Sequence, residues 1–225
     1  MPNQNILAVI TARGGSKRVP KKNLRMLGDQ SLLERTVTAS MRSKCVDHTI
    51  VSSDCAEIID AARRYGCDAP FIRPSELATD DARSEDVLEH AIKNSLAFSW
   101  VLLLQPTSPF RTSNDIDSAF TLLKEINRKS CVGVTRIQPG KFVTESHLFN
   151  GDVYSSNSQE HTYVDRKLGL RFALNGSLYF IKTSHFLSTK KLVDPETVGM
   201  DMSAKKSLDI DTFKDLKSAL ELLEV

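Results

Sequence analysis

The sequence has no apolar run long enough to cross a membrane. A membrane-spanning helix needs about 18 or more consecutive apolar residues, and no stretch of this chain approaches that length. The first residues, MPNQNILAVITAR, also lack the basic segment and the small-residue cleavage site of a secretory signal. The sequence therefore predicts neither a secretory signal nor a membrane partner.

Cysteines are few and widely spaced. The four cysteines among 225 residues form no CxxC pair, so the sequence predicts neither a zinc site nor a disulfide framework. The five histidines show no HExxH motif, and we interpret them as structural or surface residues. The formal net charge is only +2, which argues against a nucleic-acid partner because such proteins present a strongly basic face.

Strand-like and helix-like segments alternate through the first 137 residues. Short apolar runs typical of buried strands lie at 5–13, 48–54, 69–73, 100–105 and 130–137. Segments with helical periodicity lie between them, at 31–44, 55–66, 84–95 and 114–129. This alternation predicts a three-layer, Rossmann-like α/β fold, with a mostly parallel sheet covered by helices on both faces.

Residues 138–176 interrupt this alternation. Asn150-Gly151 stands between apolar residues, a strong signal for a β-hairpin, so we interpret 138–176 as a β-containing insertion within a single domain that covers 1–225. Further strands are predicted at 177–183 and 206–211. A final helix is predicted at 212–225, with a shared apolar face formed by Phe213, Leu216, Leu220 and Leu223.

The stretch ARGGSKRVPKKN, residues 12–23, places two glycines and several basic residues directly after the first predicted strand. Glycines let backbone N–H groups approach an anion closely, and Lys and Arg suit the oxygens of a triphosphate. The loop matches neither the Walker A pattern nor the GxGxxG fingerprint. Because it follows the carboxyl end of a strand, we interpret it as an anion site; the alternative is a solvated turn.

Asp209 and Asp211, in the segment SLDIDT, are two residues apart. In an extended segment their carboxylates face the same side, while Leu208 and Ile210 face inward. Carboxylates are ligands that suit Mg²⁺. An Asp-x-Asp pair alone is a weak signal, and Asp211 is equally placed to cap the last helix, but the pair together with the basic loop predicts a metal site.

Five segments resemble, in the same order, the signature blocks of the acylneuraminate cytidylyltransferase (CMP-N-acetylneuraminic acid synthetase) family. They are ARGGSKRVPKKN (12–23), RPSELATDDARS (73–84), LLLQPTSPFR (102–111), LNGSLYF (174–180) and SLDIDT (207–212). The resemblance implies an α/β nucleotide-binding domain with a dimerisation element, here 138–176, and hence a homodimer. It also implies transfer of CMP from CTP to the anomeric hydroxyl of a nine-carbon sugar acid, assisted by Mg²⁺, with pyrophosphate as the other product. Such an enzyme supplies the synthesis of surface glycans.

The resemblance implies roles for particular residues. The implied nucleotide site comprises Ala12, Arg13, Gly14, Gly15, Ser16, Lys17, Lys22, Asn23, Arg73 and Ser84. Within it, Arg13 and Lys17 hold the β and γ phosphates, and they share the catalytic role with the metal ligand Asp211. Arg73 and Ser84 contact cytosine. Judged without the family, Arg73 is also consistent with a surface ion pair and Ser84 with a helix N-cap.

By the same resemblance, the sugar acid contacts Gln105, Lys141, Arg166, Asn175 and Tyr179. Lys141 is the implied partner of its carboxylate. The family commonly shows an Arg-Gln-x-Leu-Pro run where this chain has DRKLGLRF (165–172), so Arg166 replaces the Gln. Arg18 stands where the sialate enzymes often have Gly and where some pseudaminic acid enzymes have Arg. The acceptor therefore stays open among sialic, legionaminic and pseudaminic acids.

Two other functions stay open from the sequence. A cytidylyltransferase for an eight-carbon, Kdo-type acid has Tyr-Gly-Ser-Thr-Arg where this chain has Gly-Gly-Ser-Lys-Arg. A non-catalytic nucleotide-binding module would explain the basic loop, but it leaves Asp209, Asp211 and the Gln105 segment without a role. No side chain in the sequence stands out as the general base.

Overall fold

A mostly parallel sheet forms the centre of the fold. The computed structural model describes residues 5–137, 148–149, 151–155 and 171–223. Within these ranges the sheet has eight strands: β1 (Ile6–Thr11), β4 (His48–Ser52), β5 (Trp100–Leu104), β6 (Ser130–Arg136), β7 (Leu148–Phe149), β8 (Asp152–Ser155), β9 (Phe172–Lys182) and β10 (Val198–Asp201). A separate antiparallel ribbon consists of β2 (Met26–Leu27) and β3 (Gln30–Ser31).

The strand order in the main sheet is β4-β1-β5-β9-β6-β10-β8, and β7 pairs with β9 outside this path. β1 runs parallel to β4 and β5, and β10 runs parallel to β6 and β8. β9 lies between β5 and β6 and is antiparallel to both. The carboxyl ends of β4, β1 and β5 therefore meet at one edge, where open α/β sheets bind their ligands.

The described ranges contain six α-helices: α1 (Leu32–Met41), α2 (Ala56–Arg64), α3 (Ser84–Lys93), α4 (Ser113–Glu125), α5 (Thr183–Thr189) and α6 (Phe213–Glu221). Three of these six helices, α1, α4 and α6, begin at a side chain that accepts a hydrogen bond from one of their first backbone N–H groups. Ser31 caps α1 by accepting a hydrogen bond from the Glu34 N–H at 3.1 Å. Reciprocal capping boxes start α4, through Thr112 and Asp115, and α6, through Thr212 and Asp215.

Two hydrophobic cores lie on opposite faces of the sheet. The side chains of β1 alternate between them: Ile6, Ala8 and Ile10 join one core with α1, α2 and α4, whereas Leu7 and Val9 join the other with α3 and α5. This alternation is the two-residue period of a strand. It confirms the predicted three-layer α/β fold with a mostly parallel sheet.

Two of the predicted strands are wrong. Residues 69–73 form no strand, because the only bridge there joins Asp68 to Ile50, after which the chain turns to bring the Arg73 side chain inside. Residues 206–211 also form no strand. Their attachment to the β5 edge is a single backbone hydrogen bond, from Ile210 N–H to the Thr107 carbonyl at 2.8 Å, which is too little for a ladder.

The described parts of 138–176 belong to the main sheet. β7 and β8, which flank Asn150-Gly151, pair with β9 and β10 rather than with each other, so the hairpin prediction is wrong for the strands that the structure describes. Pairing with a larger sheet buries Phe149 and Val153 in a third apolar cluster, whereas an isolated hairpin is marginally stable. The dimerisation role of 138–176 stays a prediction.

The predictions for two helices need correction. α6 packs through Leu216, Ala219 and Leu223 on a cluster that includes Ile210, whereas Phe213 and Leu220 are exposed. The buried face thus differs from the predicted one, because the helix approaches the cluster through the small side chain of Ala219, which leaves Phe213 and Leu220 on the solvent side. At α3 the N-cap position is occupied by Arg83, and Ser84 is the first helical residue, so the N-cap interpretation of Ser84 is wrong.

Two predictions from missing motifs can be compared with the structure. The four cysteines are free thiols, which agrees with the absence of a disulfide framework. Of the helices in the described ranges, none has the length and apolar character needed to span a membrane.

Candidate active site

A cavity of about 630 Å³ opens at the carboxyl ends of β1 and β5. Four of the five signature segments contribute to its wall: the loop after β1, the 73–84 segment, the Gln105–Thr107 turn after β5, and the 209–211 segment. Residues nearly 200 positions apart in the chain therefore converge on one site. The size lies within the usual range of small-molecule sites.

The glycine loop packs against the segment that follows β4. Ala12 is buried and continues the β1 pairing through a 3.1 Å hydrogen bond to the Ser52 carbonyl. The Gly14 N–H donates to the Asp54 carboxylate at 2.9 Å, and a Cβ on Gly14 would lie 2.8 Å from the Cβ of Cys55. Gly14 is thus required for close packing, and its N–H is already bonded within the protein.

The other loop residues divide between the cavity wall and the outer surface. Ser16, Lys17, Arg18, Lys22 and Asn23 line the cavity, together with Arg13. Asn23 is buried and donates to the Arg13 carbonyl at 2.9 Å, which fixes the two ends of the loop together. A Cβ on Gly15 would meet no atom within 4 Å. Lys21 points to Glu57, with 2.7 Å between Nζ and the carboxylate, and is absent from the cavity wall.

The four basic side chains of the loop after β1 that line the cavity are paired with two aspartates. Arg13 and Lys17 both contact Asp80, at 2.5 and 2.6 Å. The two hydrogen bonds lower the pKa of the Asp80 carboxyl, and that from Lys17 is the larger cause. Sequence reasoning missed Asp80, because a single exposed carboxylate within the 73–84 segment carries no signal of its own.

The second aspartate of this kind is Asp211. Arg18 and Lys22 contact its two carboxylate oxygens at 2.8 and 2.9 Å. Burial opposes the ionisation of Asp211, but the hydrogen bonds and charges of Lys22 and Arg18 outweigh it and lower the pKa of this carboxyl. For Asp209, burial is the main cause that raises its pKa, although a hydrogen bond from Thr107 acts against it.

Asp209 and Asp211 both line the cavity, as predicted for carboxylates on one side of an extended segment. Leu208 and Ile210 join the apolar cluster under α6, which confirms that they face inward. Across the described ranges, no group of three or more His, Cys, Asp or Glu residues is placed to hold a metal. Two carboxylates nevertheless fit Mg²⁺, which is usually bound through one or two carboxylates together with substrate phosphates and water.

Arg73 lies at the opposite wall of the cavity and is almost completely buried. Its guanidinium donates to the carbonyls of Ser52 and Leu77, and its buried Nε–H has no partner among the residues that the structure describes. Burial lowers the pKa of Arg73 to about 10. The interpretation of Arg73 as a surface ion pair is therefore wrong. Arg73 and Ser84 both line the cavity, and their contact with cytosine stays a prediction.

The residues implied for the sugar acid are only partly brought together. Gln105 lines the cavity, whereas Asn175 and Tyr179 are not among the lining residues. The Asn175 amide is occupied internally, donating to Ser207 Oγ at 2.9 Å and accepting from Ser177 Oγ at 2.8 Å. Burial, with smaller contributions from nearby carboxylates, raises the pKa of Tyr179 to about 12.

Lys141 and Arg166, the other two residues implied for the sugar acid, lie outside the described residues. The assignment of both to the acceptor therefore stays a prediction.

Two residues support the wall around Gln105. Gly176 has a φ of +72°, and a Cβ there would lie 2.9 Å from Gln105 Oε1. Arg111 is buried and donates to the carbonyls of Gln105 and Ser177, tying the turn after β5 to β9. Arg111 lies in the signature segment 102–111, but sequence reasoning gave it no role. Nothing in the sequence around an arginine shows that its side chain is buried or which carbonyls it contacts.

The sequence profile described as cytidylyltransferase matches residues 7–224. The chain belongs to the cytidylyltransferase family. It is 33% identical over 228 residues to the CMP-N,N'-diacetyllegionaminic acid synthase of Legionella pneumophila, a match that covers 98% of this chain and 97% of that protein. This finding confirms the family resemblance inferred from the five signature segments.

Two further comparisons bear on the cytidylyltransferase fold. The N-acylneuraminate cytidylyltransferase of Escherichia coli O18:K1:H7 is 33% identical over 219 residues, and the match covers 96% of this chain and 52% of that longer protein. The solved structure of CMP:2-keto-3-deoxy-manno-octonic acid synthetase complexed with CTP has a TM-score of 0.72 at 15% identity, covering 97% of this chain and 98% of that one. The latter similarity supports the fold alone.

Proposed function

We propose that this cytidylyltransferase transfers CMP from CTP to the anomeric hydroxyl of a nine-carbon sugar acid, releasing pyrophosphate. The observation that carries the proposal is the convergence on one cavity of a basic loop, a buried arginine and two carboxylates. The names of the relatives, a legionaminic acid synthase and an acylneuraminate cytidylyltransferase, support the choice of acceptor class.

The nucleotide fits the cavity with its triphosphate at the basic loop and its base at Arg73. Arg13 and Lys17 are the cations nearest the 73–84 wall, and they hold the β and γ phosphates by charge-assisted hydrogen bonds. We assign the guanidinium of Arg73, which lines this part of the cavity, to the O2 and N3 acceptors of cytosine. Uracil presents an N3–H donor at the same edge, so the same group discriminates against UTP.

Asp209 and Asp211 would hold Mg²⁺ against the triphosphate. The ion would polarise the α-phosphate and neutralise charge on the leaving group. Arg18 and Lys22 contact Asp211, so Mg²⁺ held by this carboxylate would leave both cations available to the phosphates. The ion pairs thus hold the two cations and the Asp211 carboxylate at the part of the cavity where we place the phosphates and Mg²⁺.

The reaction itself requires mainly positioning and charge neutralisation. The anomeric oxygen forms a bond to the α-phosphorus, the bond from the α-phosphorus to the pyrophosphate oxygen breaks, and the hydroxyl proton is released. Arg13, Lys17 and Lys22 stabilise the charge that develops on pyrophosphate. Gln105 lies on the wall between β5 and the 209–211 segment, from which it reaches the acceptor side of the α-phosphate.

A legionaminic acid is the second candidate acceptor beside sialic acid. It is favoured by the 33% identity to the Legionella enzyme over nearly the full length of both chains and by the replacement of the usual Arg-Gln-x-Leu-Pro run. Pseudaminic acid and Kdo are the other two acids that should be compared as acceptors.

A pyrophosphate-release assay tests the proposal. The protein is incubated with CTP, Mg²⁺ and each of four acids: sialic, legionaminic, pseudaminic and Kdo. We expect release with at least one nine-carbon acid, little release with UTP, and loss of release in Asp211→Asn. If the protein binds CTP but releases no pyrophosphate from it in the presence of any of the four acids, the result would indicate the non-catalytic module instead.

We also propose, from the family resemblance, that the enzyme works as a cytoplasmic homodimer. Light scattering on the purified protein tests the dimer. A mass of two chains is expected, and a mass of one chain at working concentration would contradict it.

A further inference from the structure

We propose that Asp80 is an internal competitor of the triphosphate, which lowers the affinity of the cavity for polyphosphates and so speeds the release of pyrophosphate. This inference rests on the proposed function, because it takes Arg13 and Lys17 as the phosphate-binding cations.

The geometry shows Asp80 in the position of a bound anion. Its two oxygens take one cation each: Oδ1 accepts from Arg13 Nη2 at 2.5 Å, and Oδ2 lies 2.6 Å from Lys17 Nζ. A carboxylate and a phosphate group accept the same charge-assisted hydrogen bonds from these side chains. Asp80 lies on the cavity wall itself, so it contacts the cations from the side that a ligand would use.

These contacts are placed to break readily. The Lys17 and Asp80 side chains are 82% and 45% exposed, and exposed ion pairs contribute little to stability in water. The half-exposed Asp80 carboxylate can rotate into solvent without uncovering apolar surface. A polyphosphate, with several negative charges, therefore displaces it at a modest cost.

The competition acts on one end of the nucleotide. The remaining cations of the loop that line the cavity, Arg18 and Lys22, contact Asp211 instead. Asp80 thus opposes ligands that occupy the Arg13 and Lys17 position, namely CTP and pyrophosphate. CMP lacks the β and γ phosphates and does not reach that position, so its affinity should be independent of Asp80.

The neighbouring residue supplies a matched control. Asp81 is also an exposed aspartate, and its only effect on Lys17 is a weak charge interaction, the last of five causes of the Lys17 pKa shift. Asp81→Asn removes the same charge from almost the same place without removing a contact. Any difference between Asp80→Asn and Asp81→Asn therefore reports the contact and not the net charge.

Isothermal titration calorimetry with CTP, inorganic pyrophosphate and CMP tests the inference on the full chain. For Asp80→Asn we expect the Kd of CTP and of pyrophosphate to fall by about threefold to tenfold, the gain from losing exposed competing ion pairs, while the Kd of CMP is unchanged. In Asp81→Asn all three should change by less than about twofold. Product inhibition by pyrophosphate should become stronger in Asp80→Asn alone.

Three outcomes overturn the inference. The first is weaker binding of CTP in Asp80→Asn, which would mean that Asp80 contributes to nucleotide binding. The second is unchanged binding of CTP and pyrophosphate in that variant. The third is an equal change of affinity in Asp80→Asn and Asp81→Asn. If the wild-type protein binds neither CTP nor pyrophosphate, the proposed function fails first. If it binds CTP and Asp80→Asn is not tighter, only the role of Asp80 fails.

Discussion

Replacing Gly14 by alanine should destabilise the protein, whereas the same change at Gly15 should not. A Cβ on Gly14 would lie 2.8 Å from the Cβ of Cys55 and 3.2 Å from its sulfur, and a Cβ on Gly15 would meet nothing within 4 Å. The first contact is with an atom next to the backbone, which no rotamer change relieves. Neither glycine has a positive φ, so the difference between them is one of space alone.

The expected magnitude follows from this contact. Inserting a carbon into a packed position typically costs about 1–3 kcal/mol, so we expect Gly14→Ala to lower the free energy of unfolding by about that amount. At Gly15 the loss of unfolded-state freedom predicts a change between zero and a gain of about 1 kcal/mol. For a chain of this size, each kcal/mol corresponds to about 2–4 °C in Tm.

Urea unfolding followed by circular dichroism measures the two variants side by side. A double variant, Gly14→Ala with Cys55→Gly, removes the clashing Cβ and should recover stability relative to the sum of its single changes. Equal stabilities for the two alanine variants, or a double variant with strictly additive losses, would refute the packing explanation for Gly14.

Three further predictions test the site and the fold. Asp211→Asn should keep the melting temperature within a few degrees but reduce Mg²⁺-dependent turnover by about 100-fold; near-normal turnover would remove Asp211 from the metal site. Arg73→Lys should lower kcat/KM for CTP by about 100-fold and narrow the preference for CTP over UTP, because the three donors of a lysine radiate from one nitrogen and cannot reproduce the planar fork that holds the Ser52 and Leu77 carbonyls; an unchanged CTP/UTP ratio would refute this role. Asp194→Asn should lower stability at pH 7 by about 1–2 kcal/mol, because Asp194 contacts His185 at 2.6 Å. Burial opposes its ionisation, but hydrogen bonds from His185 and its neighbours lower the pKa of Asp194 overall, so this stabilisation is present above the unfolded pKa of about 3.9 and is lost as the pH falls below it. A stability difference between the wild-type protein and Asp194→Asn that does not decline as the pH falls below about 3.9 would contradict that assignment.

Much of the fold could be predicted because it depends on local periodicity. The apolar run of β1 and the helical spacing of α1–α4 are properties of neighbouring residues, and the structure confirms these elements within a few residues. The failures came where long-range packing decided the outcome. Apolar runs at 69–73 and 206–211 resembled strands, but the first leads Arg73 inward and the second is bound to the β5 edge by one backbone hydrogen bond.

In the candidate site, too, local motifs could be predicted, whereas contacts that depend on long-range packing could not. The signature segments identified most of the cavity wall, including Arg13, Lys17, Arg73 and the two aspartates of 209–211. They did not show that the Asn175 amide is hydrogen-bonded to Ser207 and Ser177, or that Tyr179 is partly buried and does not line the cavity. Such details depend on which partner each polar group finds in the folded chain.

The chain by itself determined the family, the layered architecture and the chemical type of the site, because motifs and periodicity are properties of adjacent residues. Only the tertiary structure decided which charges meet. Asp80 is 63 residues from Lys17, and Asp211 is 189 residues from Lys22, yet each closes an ion pair across the cavity. Ion pairs depend on distances of a few ångströms in space, and no pattern along the sequence encodes these.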